Sequence, residues 1–201
     1  MDQIGGMNVI YYKRQDILIV GFQNRDLFDN KKYMELFAGV IVSQMINDLD
    51  GIDTLVGFPL KKTNRNPDQI NSISLIGLLK DKSLIADDDI DICIGDSSRT
   101  YLSKCQITRV PAFGNRSAIT ALKEILSKKL LVSTDTSICL IINIENNIVF
   151  DINELKSVLK DKKVPYGAIF VVGKIKENEW RFKCYRIFPD FAESDEIDIH
   201  L

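Results

Sequence analysis

Histidine is almost missing from this 201-residue chain, and its single instance, His200, is the penultimate residue. A position of that kind is expected to fray, so neither a Ser-His-Asp nor a Cys-His arrangement can be built on it. Chemistry would have to run on carboxylates, lysines and a metal. Cysteine is sparse as well. Cys93, Cys105, Cys139 and Cys184 each stand alone inside an apolar, strand-like segment, with no CxxC spacing and no neighbouring histidine. That pattern offers no zinc site and reads as buried, reduced thiols acting as small hydrophobes. Long apolar runs are absent too, for the longest, Leu36 to Val42, falls far short of a bilayer span. The opening Met1-Asp2-Gln3-Ile4-Gly5-Gly6 begins acidic and lacks the apolar stretch of a signal peptide. A cytoplasmic protein with no membrane partner is the expectation. Charge of one sign is not in excess: 26 basic residues face 28 acidic ones, so any nucleic-acid surface has to be local. No phosphate loop is visible. Gly5-Gly6 precedes no helical pattern, and Gly167 and Gly173 lack GxGxxG spacing.

Hydrophobic residues make up 45% of the chain and charged residues 27%. That composition suits a globular protein, and the length suits one α/β domain over residues 1–201. Asn8–Tyr12 and Asp16–Val20 read as two short strands. A helical pattern covers Lys31 to Leu49, with Asp29 or Asn30 as its cap and Gly51 just past its end. A strand is expected over Ile52–Val56, a loop over Asn64–Asp68 and a helix within Gln69–Leu84. A further helix begins after Asn115-Arg116-Ser117 and runs to about Leu130. Ser137–Ile144 is a continuous apolar run and reads as a strand buried on both faces. A short helix over Ile152–Leu159, capped by Asp151, leads to strands at Tyr166–Val172 and Trp180–Phe188. Residues 151–189 thus carry a helix and a C-terminal β-hairpin, and an acidic, loose tail covers 192–201. The order implies a mixed β-sheet flanked by helices.

Two adjoining segments carry the chemical signal. In Asp89-Ile90-Asp91-Ile92-Cys93-Ile94-Gly95 and in Lys104-Cys105-Gln106-Ile107-Thr108-Arg109-Val110, polar and apolar residues alternate with period two. Asp96-Ser97-Ser98-Arg99-Thr100 between them has turn chemistry, so the pair reads as an antiparallel hairpin. Asp89 and Asp91 share one face of the first strand; Lys104, Gln106 and Thr108 share one face of the second.

With the helix before it and the helix after it, this hairpin resembles the PD-(D/E)xK, or restriction-endonuclease-like, superfamily. The resemblance spans roughly residues 31–144 as an order of elements: a helix bearing a glutamate, a three-strand antiparallel meander, a second helix and a further strand. It implies a magnesium- or manganese-dependent nuclease acting on DNA or RNA. By the same resemblance Glu35 is the helix carboxylate, Asp91 the second-strand metal ligand and Gln106 the third-strand ligand. Hard oxygen donors on a sheet suit magnesium, which lowers the pKa of a bound water and neutralises phosphoryl charge. The family places a lysine two positions after the third-strand ligand. Here Thr108 stands there, and the resemblance allows Lys104, on the same face, or Lys123, on the following helix, in its stead. Arg109 should point to the opposite face.

Each of these residues has a plainer reading. Glu35 is also a helix carboxylate near an N-terminus, favoured there by the helix dipole. Asp87-Asp88-Asp89 reads as a solvated turn, and Gln106 with Thr108 as the polar face of an edge strand. Arg109, Arg116, Lys123, Lys128 and Lys129 form either a basic surface or a solvated helix face. Arg181, Lys183 and Arg186 with Trp180 and Tyr185 suggest a strand surface able to stack a base. The alternative functional class is a catalytically inactive, nuclease-like interaction module in a nucleic-acid-processing or defence assembly, with a protein partner. A homodimer fits either class.

Overall fold

The computed structural model describes residues 2–4, 7–61, 73–86, 90–96, 102–111, 117–132, 135–145, 148, 150–176 and 179–199. The loop over Asn64–Asp68, the aspartates Asp87 to Asp89, the turn residues Ser97 to Thr100 and His200 lie outside that set. The chain divides into two compact units, Met1–Gln106 and Ile107–His200.

In the first unit β1 (Asp2–Ile4), β2 (Met7–Tyr12), β3 (Thr54–Leu60), β4 (Ile92–Asp96) and β5 (Leu102–Val110) pair in sequence order, each antiparallel to the next. The boundary between the units falls within β5. Helix α2 (Lys31–Asp50) covers this sheet. Its start is fixed by the Asn30 side chain, which accepts from Lys32 N at 3.0 Å and Tyr33 N at 3.3 Å. Its end is fixed by Gly51 at φ 67°, a left-handed turn that glycine adopts without a Cβ penalty. Between the caps Leu36, Val40, Ile41 and Met45 are buried, as their 3.6-residue spacing requires. Gly39 brings the helix hard against the strands. A Cβ there would stand 2.3 Å from Ile92 Cδ1 and 2.8 Å from Val56 Cγ1.

Two expectations need correction here. Asp16–Val20 is helical, as part of α1 (Arg14–Gln23). Its buried positions, Ile17 and Gly21, lie one helical turn apart. The bare Gly21 leaves room for Tyr33, whose hydroxyl donates to Ile17 O at 3.1 Å. β3 starts later and runs further than the apolar run suggests, because β2 pairs with it as far as Leu60. Among the described residues of Gln69–Leu84 stand α3 (Leu75–Lys80), capped by Ser74, and a 3-10 turn over Lys82–Leu84.

The second unit contains α4 (Ala118–Val132), β6 (Ile138–Ile144), α5 (Ile152–Ser157), β7 (Ala168–Lys174) and β8 (Arg181–Phe188). β6 runs parallel to β7, and β7 antiparallel to β8. Every residue of β6 is buried. Each large aliphatic side chain so enclosed contributes roughly 1.5–3 kcal/mol of transfer free energy. Asp151 caps α5 by accepting from Glu154 N at 2.9 Å. The tail is not loose. β9 (Ala192–Glu193) and β10 (Ile197–Asp198) both pair with β8. Ile197 and Ile199 are buried, and Ser194 Oγ accepts from Cys184 N at 3.0 Å. Alternating isoleucines anchor a segment that its charge alone marks as solvent-bound.

The protein is α/β, with mixed, mostly antiparallel β-structure. Among the described residues no helix is long and apolar enough to cross a membrane.

Candidate functional site

The first turn of α2 gathers charge. Asn30 sets the helix phase, and positions 31, 32 and 35 then fall on adjoining sides by their i,i+3 and i,i+4 spacing. Glu35 is only 2% exposed. Lys31 Nζ stands 3.4 Å from its Oε1 and Lys32 Nζ stands 3.0 Å from its Oε2. The same Lys32 ammonium is 3.7 Å from Asp91 Oδ1. Two carboxylates from distant parts of the chain therefore share one lysine.

Glu35 needs such company, because an unpaired carboxylate at that depth is strongly disfavoured. Its satisfaction is nonetheless partial. Oε2 accepts no hydrogen bond among the described residues. Lys32 is close enough to pair with it by charge, but lies outside hydrogen-bond geometry.

Asp91 arrives through the hairpin. Ile92 opposes Cys105, Cys93 opposes Lys104, and Asp91 N donates to Cys105 O at 3.0 Å. Asp91 and Gln106 are the next residues outward from the Ile92–Cys105 pair, so their backbones meet at one end of the hairpin. The side chains of β5 then part by alternation. Val56 and Ile92 touch α2, and Cys105, opposite Ile92, shares their face. Lys104 and Gln106 belong with Cys93 on the other face. Lys104 acts on Cys93 there. Burial pushes the Cys93 thiol up to about 12, and the Lys104 charge opposes that rise. All four cysteines are free and buried.

Lys123 is in the second unit, where its Nζ lies 2.7 Å from Glu154 Oε1. Arg109 Nε donates to Glu145 at 2.6 Å. Thr108 Oγ1 is buried with no hydrogen-bond partner among the described residues. The strand surface around β8 differs from its expected form. Arg181 pairs with Glu196 at 3.0 Å and Lys183 with Glu193 at 3.3 Å. Tyr185 is buried against Phe150, and Lys174 sits 4.7 Å over the Trp180 ring. Tyr185 is enclosed while Trp180 is 38% exposed, and Arg181 and Lys183 are engaged by the returning tail.

Sequence reasoning did not single out Lys32. Its i,i+3 spacing to Glu35 was visible, but its contact with Asp91 depends on how α2 lies over β4. Among the described residues, no group of three or more histidine, cysteine, aspartate or glutamate side chains is placed to hold a metal ion. No protein-family model, curated protein or solved structure matches the chain.

Proposed function

We propose that this protein is a divalent-metal-dependent nuclease with a restriction-endonuclease-like core, hydrolysing phosphodiester bonds of DNA or RNA. The observation that carries this reading is the meeting of Glu35 and Asp91 across Lys32. The element order supports it. A glutamate-bearing helix, three antiparallel strands, a second helix and a further strand follow one another as α2, β3, β4, β5, α4 and β6.

The donor set fits a hard divalent cation. Magnesium usually takes one or two carboxylates and keeps several waters, and Glu35 Oε2, buried without a hydrogen bond, has acceptor capacity to give. Glu35 and Asp91 would hold Mg2+ or Mn2+; Gln106, on the face of β5 turned away from α2, stands outside this pair. The ion would supply an activated water and offset the charge that develops on the phosphate. The chain's own residues do the rest. The packed first turn of α2 fixes the Glu35 carboxylate, the hairpin fixes Asp91, and Lys32 brings a positive charge beside both. Lys104, opposite Cys93 on the other face of the sheet, is not beside this pair. Lys123 is engaged by Glu154 within the second unit.

The test is cleavage of mixed single- and double-stranded DNA and RNA with Mg2+ and Mn2+. Wild type is expected to cut, and Asp91→Ala to lose at least about a hundredfold in rate, in line with the weight of metal-held charge in such chemistry. Equal cutting by Asp91→Ala would remove the site assignment.

One observation favours a second reading, the inactive interaction module. Among the described residues Lys31 and Lys32 balance Glu35 and Asp91 charge for charge without a metal. A folded wild type that cuts no substrate in either metal would favour this reading.

A further inference from the structure

The two carboxylates of the candidate site already have a cation between them. Lys32 Nζ lies 3.0 Å from Glu35 Oε2 and 3.7 Å from Asp91 Oδ1, and its side chain is 18% exposed. It is not locked there by directional bonding, since Glu35 Oε2 accepts no hydrogen bond while being almost fully buried. Lysine suits this arrangement: its ammonium is a compact charge on a flexible four-carbon stem, able to swing away without unwinding the helix that carries it. Lys31, 68% exposed, holds only the far oxygen of Glu35.

We infer that Lys32 is an internal counter-cation, and that a divalent metal binds Glu35 and Asp91 only by displacing its ammonium. This rests on the metal-dependent reading above and adds its regulation. The protein resists metal loading until the divalent ion is concentrated enough to outcompete a tethered charge. The displaced ammonium stays on the first turn of α2, beside the site rather than within it. Without metal, Lys32 keeps the buried Glu35 carboxylate from being left uncompensated.

The test is calorimetric titration of Mn2+ into wild type, Lys32→Gln and Lys32→Arg, with the double variant Glu35→Gln, Asp91→Asn defining background binding. A unit charge this near both carboxylates opposes a second cation strongly. Lys32→Gln is therefore expected to bind Mn2+ at least about tenfold more tightly than wild type, and to gain more thermal stability from Mn2+. Lys32→Arg keeps the charge and can fork onto carboxylates with paired bonds, so it is expected to bind several-fold more weakly. Should Lys32→Gln fail to fold, Lys32→Arg decides: weaker binding supports the displacement, and equal or tighter binding overturns it.

Equal Mn2+ affinity in wild type and Lys32→Gln overturns the inference while leaving nuclease activity to be judged by cleavage. Tightened binding without cleavage by wild type upholds the counter-cation and removes the nuclease. Binding no greater than background in every variant overturns both.

Discussion

Glu35 and Thr54 illustrate how single side chains are held in this protein. Thr54 is 3% exposed, and its hydroxyl shares a short hydrogen bond with Ser43 Oγ and also donates to Ser43 O at 3.3 Å. The pair ties the middle of α2 to the start of β3. Thr54→Val keeps the shape but leaves the Ser43 hydroxyl buried without its partner, so a loss of about 1–3 kcal/mol is expected in urea unfolding. An unchanged midpoint would show that the pair carries no net stabilisation. Because this contact lies well along the helix from Glu35, the variant should keep whatever metal binding the wild type has. Of the two residues, Thr54 could be read as a strand residue from its neighbours. Its buried partner on α2 could not, since hydroxyl pairing across elements leaves no periodic trace.

At the scale of elements, the placement of α2 over β3 and β4 matters most, because it brings Glu35 to Asp91. Gly39 sets that distance. A methyl group there would stand well inside the contact distance of Ile92 Cδ1 and Val56 Cγ1, so the helix must lift or the side chains must leave their rotamers. Gly39→Ala is expected to cost about 1–3 kcal/mol by overpacking, despite the better helix propensity of alanine. It should also weaken Mn2+ binding or cleavage beyond what partial unfolding explains. Full activity in a destabilised Gly39→Ala would show that the site does not depend on close helix packing. The α2 boundaries were legible in the sequence, because Asn30 and Gly51 bracket an apolar stripe of the right period. α1 was not. Ile17-Leu18-Ile19-Val20 is rich in branched residues that favour strands, whereas the packing of Gly21 beneath Tyr33 is a tertiary contact that accompanies its helical form.

The whole molecule carries many buried acids of high pKa. Burial pushes the thiols of Cys93 and Cys184 and the phenols of Tyr12, Tyr33 and Tyr185 upward, Cys93 and Tyr185 to about 12. Each is neutral while protonated. The unfolded chain releases these protons from roughly pH 8.5 for thiols and roughly pH 10 for phenols, whereas the folded chain holds them to higher pH. Between those limits the native state binds more protons, so stability falls as pH rises and is intact below the thiol range. Unfolding free energies measured from about pH 8 to about pH 11 should therefore decline progressively. A flat profile would mean that these groups ionise in place.

By itself, the sequence determined the kinds of element and their order from α2 to β8, the buried state of the four cysteines, and the antiparallel strands that carry Asp91 and Gln106. All of these depend on local periodicity, caps and turn residues, which neighbours in the chain specify. The tertiary structure alone decided three things: that Lys32 rather than a strand lysine stands between Glu35 and Asp91, that Lys123 turns to Glu154, and that the acidic tail returns to β8. The reason is common to all three. Charge pairing acts through space between residues far apart in the chain, and the apolar packing that brings them within reach is set by the fold as a whole.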